Sequence, residues 1–425
     1  MQKVVIIDGS RTPFLKSGTE YMNLMSYQLG GFAIKGLLTK TGSRPSDIDA
    51  VIMGNVISNV QTPNVAREAA LMAGVPSSTP CRTVSQACIS ANRAIADGCL
   101  EIMTGQADVV IAGGIDHTSD APIQFPRKMR KKLFKAQRNK TLGDNLKFIS
   151  TLRLSDFVPE APKVAEYSTN RVMGQDCDIM AARFAVSREE QDEFAVRSHQ
   201  LAAKAQEAGH LPKEITTVHI SPKFKAIDKD NGVRGNSTVE SVSKLRPAFD
   251  KKFGTLTAAN SSFLTDGGAA VLLMSEQKAK ELGLTPKAEV VDFVFTGQRL
   301  EDELLLGPTY AVSKILKRQN LTLDDIDVIE FHEAFAGQIL ANLKALASDD
   351  FAKANLDRTE AVGAIPMDKF NLWGGSLSIG HPFGATGARL LTTTANRLHH
   401  EAGKLGLLAA CAAGAHGHAM LIRKY

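Results

Sequence analysis

Aromatic residues and cysteines are both scarce in this sequence. Its 425 residues include one tryptophan, five tyrosines and five cysteines. So few aromatic side chains argue against an aromatic-rich binding surface. The cysteines form no CxxC pair, and no histidine stands at metal-ligand spacing from them. The sequence therefore predicts neither a disulfide framework nor a zinc site, and we expect no bound metal.

Strong charge and long apolar runs are also lacking. Fifty Lys+Arg residues face 45 Asp+Glu, and the resulting net charge of +5 is too weak a field to indicate a nucleic-acid-binding protein. No apolar run approaches the ~18 residues that a membrane span requires. The first residues show no signal-peptide pattern and the last show no lipidation or peroxisomal motif. We therefore expect a cytoplasmic protein.

Short apolar runs bounded by turn residues are what the sequence does contain. Those at residues 4–7, 50–53, 109–112 and 328–331 are typical of buried strands. Amphipathic helical stretches, such as residues 27–41 and 311–319, lie between them. Alternation of strands with helices predicts an α/β fold.

The chain also repeats itself. Residues 33–58 and 311–336 align without a gap, so that Asp47-Ile48-Asp49 matches Asp325-Ile326-Asp327. Any two helix-strand units look alike, but a shared motif at the same phase favours a duplicated domain. In each half a loop carrying Cys88 or His381 then opens a helix, which an apolar strand follows.

An unlike segment separates the two copies and suggests domain boundaries. We expect residues 1–115 with 252–275 to form the first half and residues 276–425 the second. Residues 116–251 would form an inserted loop domain.

The inserted segment contains the strongest charge asymmetry of the sequence, at residues 127–153, where Asp144 is the only acid. Apolar residues recur there at near-helical spacing, which predicts a basic amphipathic helix or pair. A solvated charged face is the simplest interpretation. The alternatives are contact with an acidic partner chain, with an anionic membrane surface or with the phosphates of a ligand.

Cys88 is a candidate nucleophile because small and polar residues around it lead into a predicted helix at residues 91–103. A thiol at a helix start faces free N–H groups and the positive end of the helix dipole, which would lower its pKa. A buried, unreactive cysteine is the alternative. Cys81, Cys99 and Cys177 are assigned no role.

His381 lies in a glycine-rich turn, residues 380–387, before a predicted helix. The turn lacks the Lys-Ser/Thr of a P-loop, so a phosphate cradle is the weaker interpretation. A base for a thiol is the stronger one, because His381 occupies the position in the second half that Cys88 has in the first.

Two further groups follow predicted strands. Cys411 precedes a run of small residues whose N–H groups could face an oxyanion. His332 and Glu333 follow a buried strand, where α/β active sites lie, although either could cap a helix instead.

In this order the motifs resemble those of the thiolase family. They are Arg11-Thr12-Pro13-Phe14, the Cys88 loop, residues 108–114, Met173-Gly174, residues 254–262, Asp266-Gly267, His332-Glu333-Ala334-Phe335, Gly380-His381-Pro382 and the Cys411 loop. Histidine at 332, where most thiolases have asparagine, and the basic insertion most resemble the thiolase (beta) chains of fatty-acid oxidation multienzyme complexes.

The resemblance implies two similar βαβαβαββ halves packed in five layers (αβαβα), with the inserted loop domain covering coenzyme A (CoA). It implies a 3-ketoacyl-CoA thiolase that cleaves its substrate with CoA as co-substrate and without a permanently bound cofactor. The alternatives are a biosynthetic acetoacetyl-CoA thiolase and a non-catalytic lipid-binding subunit. A decarboxylating ketosynthase shares the fold but lacks a second catalytic cysteine, so Cys411 argues against it.

The resemblance also assigns roles. Cys88 would attack the C3 carbonyl, with His381 taking its proton and then helping to hold the thioester oxygen. Cys411 would protonate the departing acetyl-CoA enolate and later deprotonate the incoming CoA.

Further residues would bind rather than react. The N–H groups of Cys88 and Ala413 would form the oxyanion hole of the acyl-enzyme step, and His332 would polarise the substrate thioester. The residues matching CoA contacts are Met173, Ala258 and Ser262.

The resemblance further implies a homodimer or homotetramer, or a hetero-oligomer with a hydratase/dehydrogenase alpha chain. For the segment 127–153 we expect contact with a partner chain or peripheral contact with a membrane, and none with nucleic acid. One departure concerns the Cys411 loop, where Ala415-His416 replaces a glycine-rich pattern. Because alanine at positive φ is strained, we expect this loop to differ locally.

Overall fold

A computed structural model describes residues 2–162 and 165–425 of the chain. The strands are β1 (Val4–Arg11), β2 (Leu15–Lys16), β3 (Ala50–Gly54), β4 (Cys81–Val84), β5 (Val109–Asp116), β6 (Val218–Ile220), β7 (Lys225–Ile227), β8 (Thr265–Ser275), β9 (Ala288–Gly297), β10 (Val328–Phe331), β11 (Leu405–Ala412) and β12 (His416–Lys424). The helices are α1 (Ser26–Thr41), α2 (Val65–Met72), α3 (Ser90–Met103), α4 (Arg127–Ala136), α5 (Leu142–Ser150), α6 (Met173–Arg183), α7 (Arg188–Glu207), α8 (Val239–Ser243), α9 (Glu276–Glu281), α10 (Gly307–Gln319), α11 (Ala336–Leu346), α12 (Asp349–Asn355), α13 (Ser376–Ile379) and α14 (Thr386–His400). Strands and helices alternate, which confirms the predicted α/β class.

The main sheet runs in the order β4-β3-β5-β8-β1, continuing as β9-β12-β11-β10. In the first half β4, β3 and β5 are parallel and β8 is antiparallel to its neighbours. In the second half β10 and β11 are parallel and β12 is antiparallel to its neighbours. A parallel bridge from Ile329 to Phe370 lies where β4 lies in the first half. The two halves therefore share one topology, as the sequence repeat predicts.

The core is arranged in layers because most strands of the main sheet, such as β1, β3, β5 and β8, are buried on both faces. Val4, Ile6 and other residues of one sheet face pack with α3 and α14 in a central cluster to which both halves contribute. The opposite faces pack against α1 and α2 in the first half and against α10 and α11 in the second. Outer helices, sheet, shared inner helices, sheet and outer helices give the predicted five layers.

Local sequence explains where the helices begin and end. The Ser187 hydroxyl caps α7 by accepting from the Glu190 N–H, and the Glu190 carboxylate accepts from the Ser187 N–H in return. Gly209 then adopts a positive φ of 75° shortly beyond the end of the helix. A glycine in the left-handed region is a common end of a helix.

The two halves differ in one connection. Three residues, 413–415, join β11 to β12, whereas residues 117–264 separate β5 from β8. The long connection contains α4 and α5, so the basic segment forms the predicted pair of helices. The predicted boundaries 1–115, 116–251, 252–275 and 276–425 remain a prediction, and Met1, Lys163 and Val164 within them lie outside the described residues.

Candidate active site

The candidate site lies where the loops that open α3 and α14 meet the ends of the neighbouring strands. The buried Asp116 carboxylate, at the end of β5, accepts from the N–H groups of Val56, Ile57 and Gly384. Gly384 belongs to the loop that carries His381. One carboxylate of the first half therefore anchors the histidine loop of the second.

A close approach of backbones makes this anchoring geometrically possible. A Cβ atom on Gly114 would lie 1.8 Å from the Gly384 carbonyl oxygen, and one on Gly384 would lie 2.7 Å from the Ile115 carbonyl oxygen. Only glycine fits at both positions without displacing backbone. The glycine-rich turn around His381 thus serves packing against β5.

Cys88 lies in the tight turn between β4 and α3. Ala87 has a φ of 45°, and the Ser90 hydroxyl donates to the Ala87 carbonyl at 2.6 Å while accepting from the Gln86 N–H at 2.8 Å. These bonds hold the turn in place. The N–H groups of Ala413 and of Cys88 itself lie against the Cys88 sulfur. The two amides predicted to form an oxyanion hole therefore converge on the candidate nucleophile.

The predicted activation of the Cys88 thiol is wrong for this state of the protein. Burial raises the pKa of the Cys88 thiol to about 12, although the N–H groups of Ala413 and Cys88 act to lower it. Removal from water outweighs the helix-start effect on which the sequence argument relied. The resting group is therefore a neutral thiol, which requires a base in order to attack.

Cys411 is the second-last residue of β11 and lies close to Cys88. Burial raises the pKa of the Cys411 thiol well above its usual value, and the nearby Cys88 thiol raises it further. The following turn contains Gly414 at a φ of 78° and Ala415 at a φ of 55°. Ala415 therefore does occupy the left-handed region, and the turn accepts the strain that the sequence argument expected it to avoid.

His381 is buried and held from behind. Its backbone N–H donates to Thr265 Oγ1 at 3.0 Å, and its Nδ1 lies 2.6 Å from Thr386 Oγ1. Within the described residues its Nε2 has no hydrogen-bond partner. This nitrogen is therefore free to face a substrate or a thiol.

His332 follows β10, and its N–H donates to the Ala409 carbonyl at 2.8 Å. Its Nδ1 lies 2.9 Å from Ser376 Oγ, and its Nε2, like that of His381, has no partner in the part of the chain that the structure describes. The two imidazole rings are 4.0 Å apart between centroids and inclined by 41°. The Glu333 carboxylate accepts from Ser198, from Asn371 and from the N–H of Leu377 in the first turn of α13, so it supports the start of that short helix.

Both histidines are held neutral. Burial, with a smaller contribution from the Arg389 cation, lowers the pKa of His381 to about 3. Burial also lowers the pKa of His332 well below its usual value, with smaller contributions from His381 and Arg389. At neutral pH the site therefore contains two uncharged imidazoles and two uncharged thiols.

The three predicted CoA contacts lie around an apolar cluster that includes Cys411. Met173 begins α6 and packs against this cluster, whose members include Leu256 and Phe335. Ser262 donates its N–H to the Ala334 carbonyl at 2.9 Å, which ties its loop to the segment after His332. Ala258 is exposed on the same loop. The structure thus places these residues beside the candidate site rather than elsewhere on the surface.

Several residues of the site were not singled out from the sequence. Ser376, Thr386 and Arg389 contact the two histidines or support them, and the Glu166 carboxylate accepts from the Gly414 N–H. Ser376, Thr386 and Arg389 all lie within eight positions of His381, which is the one signal that could have drawn attention to them. Nothing in the sequence pattern pairs Glu166 with Gly414.

In residues 2–162 and 165–425, no group of three or more His, Cys, Asp or Glu side chains is placed to hold a metal ion. None of the helices described is both long and apolar enough to cross a membrane.

Comparison with known proteins gives consistent matches over the whole chain. The model for the thiolase N-terminal domain matches residues 4–277, and that for the thiolase C-terminal domain matches residues 284–424. The mitochondrial trifunctional enzyme subunit beta of Homo sapiens is 52% identical over 425 residues, which are 100% of this chain and 89% of the relative. The 3-ketoacyl-CoA thiolase of Yersinia enterocolitica is 45% identical over 99% of this chain and 96% of its own length. The crystal structure of human mitochondrial 3-ketoacyl-CoA thiolase in complex with CoA superposes with a TM-score of 0.84 at 30% identity, covering 100% of this chain and 98% of the other.

Proposed function

The chain belongs to the thiolase family, and from that premise we propose which of its residues carry out the reaction. It is an acyltransferase that cleaves 3-ketoacyl-CoA with CoA into acetyl-CoA and a shortened acyl-CoA in fatty-acid β-oxidation. CoA is the co-substrate and no cofactor stays bound. The family resemblance and the fold class predicted from the sequence are both confirmed.

In the first half-reaction, the Cys88 sulfur attacks the C3 carbonyl carbon of the substrate while its proton passes to His381 Nε2. The bond between C2 and C3 then breaks, which leaves the acyl group on Cys88 as a thioester. The electron pair of that bond forms the acetyl-CoA enolate, which takes a proton from Cys411. Acetyl-CoA leaves, and Cys411 is now a thiolate.

In the second half-reaction, the Cys411 thiolate takes the proton of the CoA thiol. The CoA sulfur attacks the thioester carbonyl, and Cys88 departs as the leaving group. His381 returns its proton to the Cys88 sulfur, so the resting state is restored. The raised pKa values of both thiols fit this scheme, since each thiol must hold its proton until a partner removes it.

Two sets of donors would stabilise the negative charge on oxygen. The N–H groups of Cys88 and Ala413 would hold the oxyanion of the acyl-enzyme step, because both lie against the Cys88 sulfur. His332 would polarise the substrate thioester, directly or through water, with His381 helping once it carries the proton. The unpartnered Nε2 atoms of both rings support this assignment.

One observation carries the proposal: the half-buried Cys88 thiol and the buried Cys411 thiol lie close together, with two backbone N–H groups directed at Cys88. A non-catalytic lipid-binding subunit needs none of these features. A biosynthetic acetoacetyl-CoA thiolase would share these features. The two enzymes must therefore be distinguished by the length of the acyl chain that they accept.

The test is CoA-dependent cleavage of acetoacetyl-CoA and of 3-ketohexadecanoyl-CoA by the purified chain. We expect cleavage of the long substrate. Absence of cleavage of either substrate by well-folded protein would overturn the proposal. Activity on acetoacetyl-CoA alone would favour the biosynthetic alternative.

We also propose that the inserted segment, residues 116–251, covers CoA. Met173 and Cys177 of this segment belong to the same apolar cluster as Cys411, and Glu166 accepts from Gly414 beside the reacting thiols. The segment therefore reaches the site from outside the two halves. Met173, Ala258 and Ser262 would line the channel for the pantetheine arm.

For assembly we propose a homodimer or homotetramer, or a hetero-oligomer with a hydratase/dehydrogenase alpha chain, in the cytoplasm. The similarity to a trifunctional enzyme subunit beta supports the hetero-oligomer. Native mass measurement of the purified chain, alone and in its source extract, distinguishes these states. A mass of one chain in both samples would contradict all of them.

We further propose that the helix pair α4 and α5 contacts an anionic membrane surface or a partner chain. Leu142, Leu146 and Ile149 lie on one face of α5 at helical spacing and are 78%, 60% and 59% exposed. Phe134 on α4 is 64% exposed. Apolar side chains left in water beside many lysines and arginines are typical of an interfacial helix and are costly on a merely solvated face.

The structure sharpens the variant that tests this surface. Lys132 donates to Asp156 at 2.5 Å and so supports the local fold, whereas Lys128, Lys131 and Lys135 are exposed. We expect the triple change of those three to Glu, and separately Leu146→Gln with Ile149→Gln, to reduce binding to vesicles containing anionic lipid or to an alpha chain. Leu100→Gln, at a 46% exposed site on α3, is the matched control. Unchanged binding in both variants would contradict the proposal and favour the interpretation of α4 and α5 as a solvated charged face.

A further inference from the structure

The two buried histidines of the site have different neighbours behind them. His332 Nδ1 lies 2.9 Å from Ser376 Oγ, and His381 Nδ1 lies 2.6 Å from Thr386 Oγ1. The ring centroids are 4.0 Å apart, and neither Nε2 has a hydrogen-bond partner in the described residues. What each ring offers a substrate therefore depends on which of its nitrogens carries the proton.

Ser376 is supported by a group that can only donate. Arg389 Nη2 lies 3.0 Å from Ser376 Oγ, and a guanidinium has no acceptor atom. Among the described residues, His332 Nδ1 is the other hydrogen-bond partner of this oxygen. Ser376 is fully buried, so a hydroxyl hydrogen left without a partner would cost about 1–3 kcal/mol. In the fully bonded arrangement Arg389 donates to Ser376 Oγ, and the Ser376 hydroxyl donates to His332 Nδ1. Because Nδ1 is then an acceptor, the proton of His332 lies on Nε2.

Arg389 is itself held in this orientation by charge. It is fully buried, and its Nη1 lies 3.9 Å from the equally buried Glu330 carboxylate. Reversal of the Ser376 hydroxyl would direct its hydrogen towards a cation. The charge of Arg389 therefore fixes the direction in which the Ser376 hydroxyl donates.

Thr386 imposes the opposite direction on His381. Its Oγ1 lies 3.0 Å from the Pro382 carbonyl, which can only accept. Thr386 can therefore donate to Pro382 and accept from His381 Nδ1–H, which leaves Nε2 as a bare acceptor. The same arrangement persists when Nε2 gains a proton, so His381 can become a cation without losing a hydrogen bond.

We infer that Ser376 and Arg389 are positioning residues that fix His332 as an Nε2–H donor and leave His381 as the proton acceptor of the pair. The inference rests on the proposed function, because only the proposed reaction needs one histidine as a donor and the other as a base. His332 can then polarise an oxygen but cannot take the Cys88 proton. His381 can take that proton.

The decisive measurement does not depend on turnover. In protein labelled with ¹⁵N-histidine, the nitrogen shifts and their couplings to ring protons report which nitrogen of His332 is protonated. A His332→Gln sample identifies the signals. We expect the Nε2–H form in the native chain and in Ser376→Thr, and a mixture of both forms in Ser376→Ala.

The matched control is Ser378→Ala, which removes the same atom from the same short helix. Ser378 Oγ bonds Ser198 and the Gly375 carbonyl, each at 3.0 Å, rather than a histidine. We expect it to leave the His332 signals unchanged. A native His332 protonated on Nδ1, or an unchanged Nε2–H form in Ser376→Ala, would overturn the inference.

Kinetics give a second measurement. Loss of one oxyanion donor costs about 10²–10³-fold in kcat, and a mixture of tautomers retains part of that donor, so we expect kcat to fall about 10-fold in Ser376→Ala with KM unchanged. Ser376→Thr should restore it. If the native chain cleaves no 3-ketoacyl-CoA while His332 has the expected tautomer, the proposed function fails and the inference stands.

Discussion

The two halves of the molecule share one topology but have different residues at their strand ends. When β3 and β5 of the first half are compared with β10 and β11 of the second, the strand registers make Gly54 equivalent to His332. The same registers make Ile115 equivalent to Cys411. The second half thus has two reactive side chains where the first has a glycine and an isoleucine. The first half contributes its nucleophile instead from the turn before α3.

The first half has glycines at strand ends where the second half has larger side chains. Gly114, whose equivalent in the second half is Ala410, leaves room for the Gly384 carbonyl, and Asp116 then binds the Gly384 N–H. The ends of β3 and β5 therefore act as a platform for the His381 loop. The two halves therefore share one topology, but the first half supports the His381 loop of the second.

The strongest way to break this comparison is to remove the two thiols in turn. We expect Cys88→Ala to lower kcat by roughly 10⁶-fold, as loss of a nucleophile does, and Cys411→Ala to lower it by about 10²–10⁴-fold, as loss of an acid/base group does. An activated ester such as p-nitrophenyl acetate has a leaving group that needs no proton. Mass spectrometry should therefore find acylated protein in Cys411→Ala and none acylated at the site in Cys88→Ala. Equal acylation of both variants would refute the division of roles between the halves.

Gly114→Ala tests the platform directly. The added Cβ would meet the Gly384 carbonyl oxygen at 1.8 Å, so the His381 loop must move. Since a displacement of about 1 Å can cost about 10²-fold in rate, we expect kcat/KM to fall by that factor. Gly143→Ala, on exposed α5, is the control and should leave kcat/KM unchanged, because the added Cβ would meet Thr141 Oγ1 only at 3.8 Å. Native kcat/KM in Gly114→Ala would show that the loop does not depend on this contact.

The halves should also differ in their response to acid. His418 is fully buried on β12, and its equivalent on β8 is Ala269. Burial lowers the pKa of His418 to about 3, so in acid the unfolded chain binds a proton that the folded chain does not. The contribution of His418 to the free energy of unfolding is therefore fully present above about pH 6.5 and is lost as the pH drops towards 3. Between pH 7 and pH 5 the loss is about 2 kcal/mol for this group.

We expect His418→Gln to remove that share of the pH dependence, measured as the change in urea unfolding free energy between pH 7 and pH 5. The exposed His219, changed to Gln, is the control. A pH dependence that is the same in both variants and the native chain would argue against a buried neutral His418.

The smallest expected effect concerns the short connection of the second half. Ala415 has a φ of 55°, where a residue other than glycine is strained by roughly 1–2 kcal/mol. Part of the gain from Ala415→Gly is lost to the greater freedom of glycine in the unfolded chain, so we expect a net stabilisation of about 0.5 kcal/mol. Ala412→Gly, in β11 beside it, should instead destabilise by about 0.5–1 kcal/mol. Thermal unfolding of both variants decides, and destabilisation by Ala415→Gly would mean that Cβ packing outweighs the strain.

The sequence by itself determined the α/β class, the duplication, the pair of basic helices and the set of candidate residues at Cys88, His332, His381 and Cys411. These features follow from local periodicity and motif order, because apolar spacing and turn residues act within short stretches of chain. The roles assigned to the residues stay predictions.

Only the tertiary structure decided the electrostatics and the supports. The pKa of Cys88 rises instead of falling, because burial by residues that are distant in the chain outweighs the N–H groups of Ala413 and Cys88, which act to lower it. Likewise, Arg389 directs Ser376 towards His332 only because three elements meet in the core. Desolvation and hydrogen-bond direction are properties of neighbours in space, and a linear sequence does not state who those neighbours are.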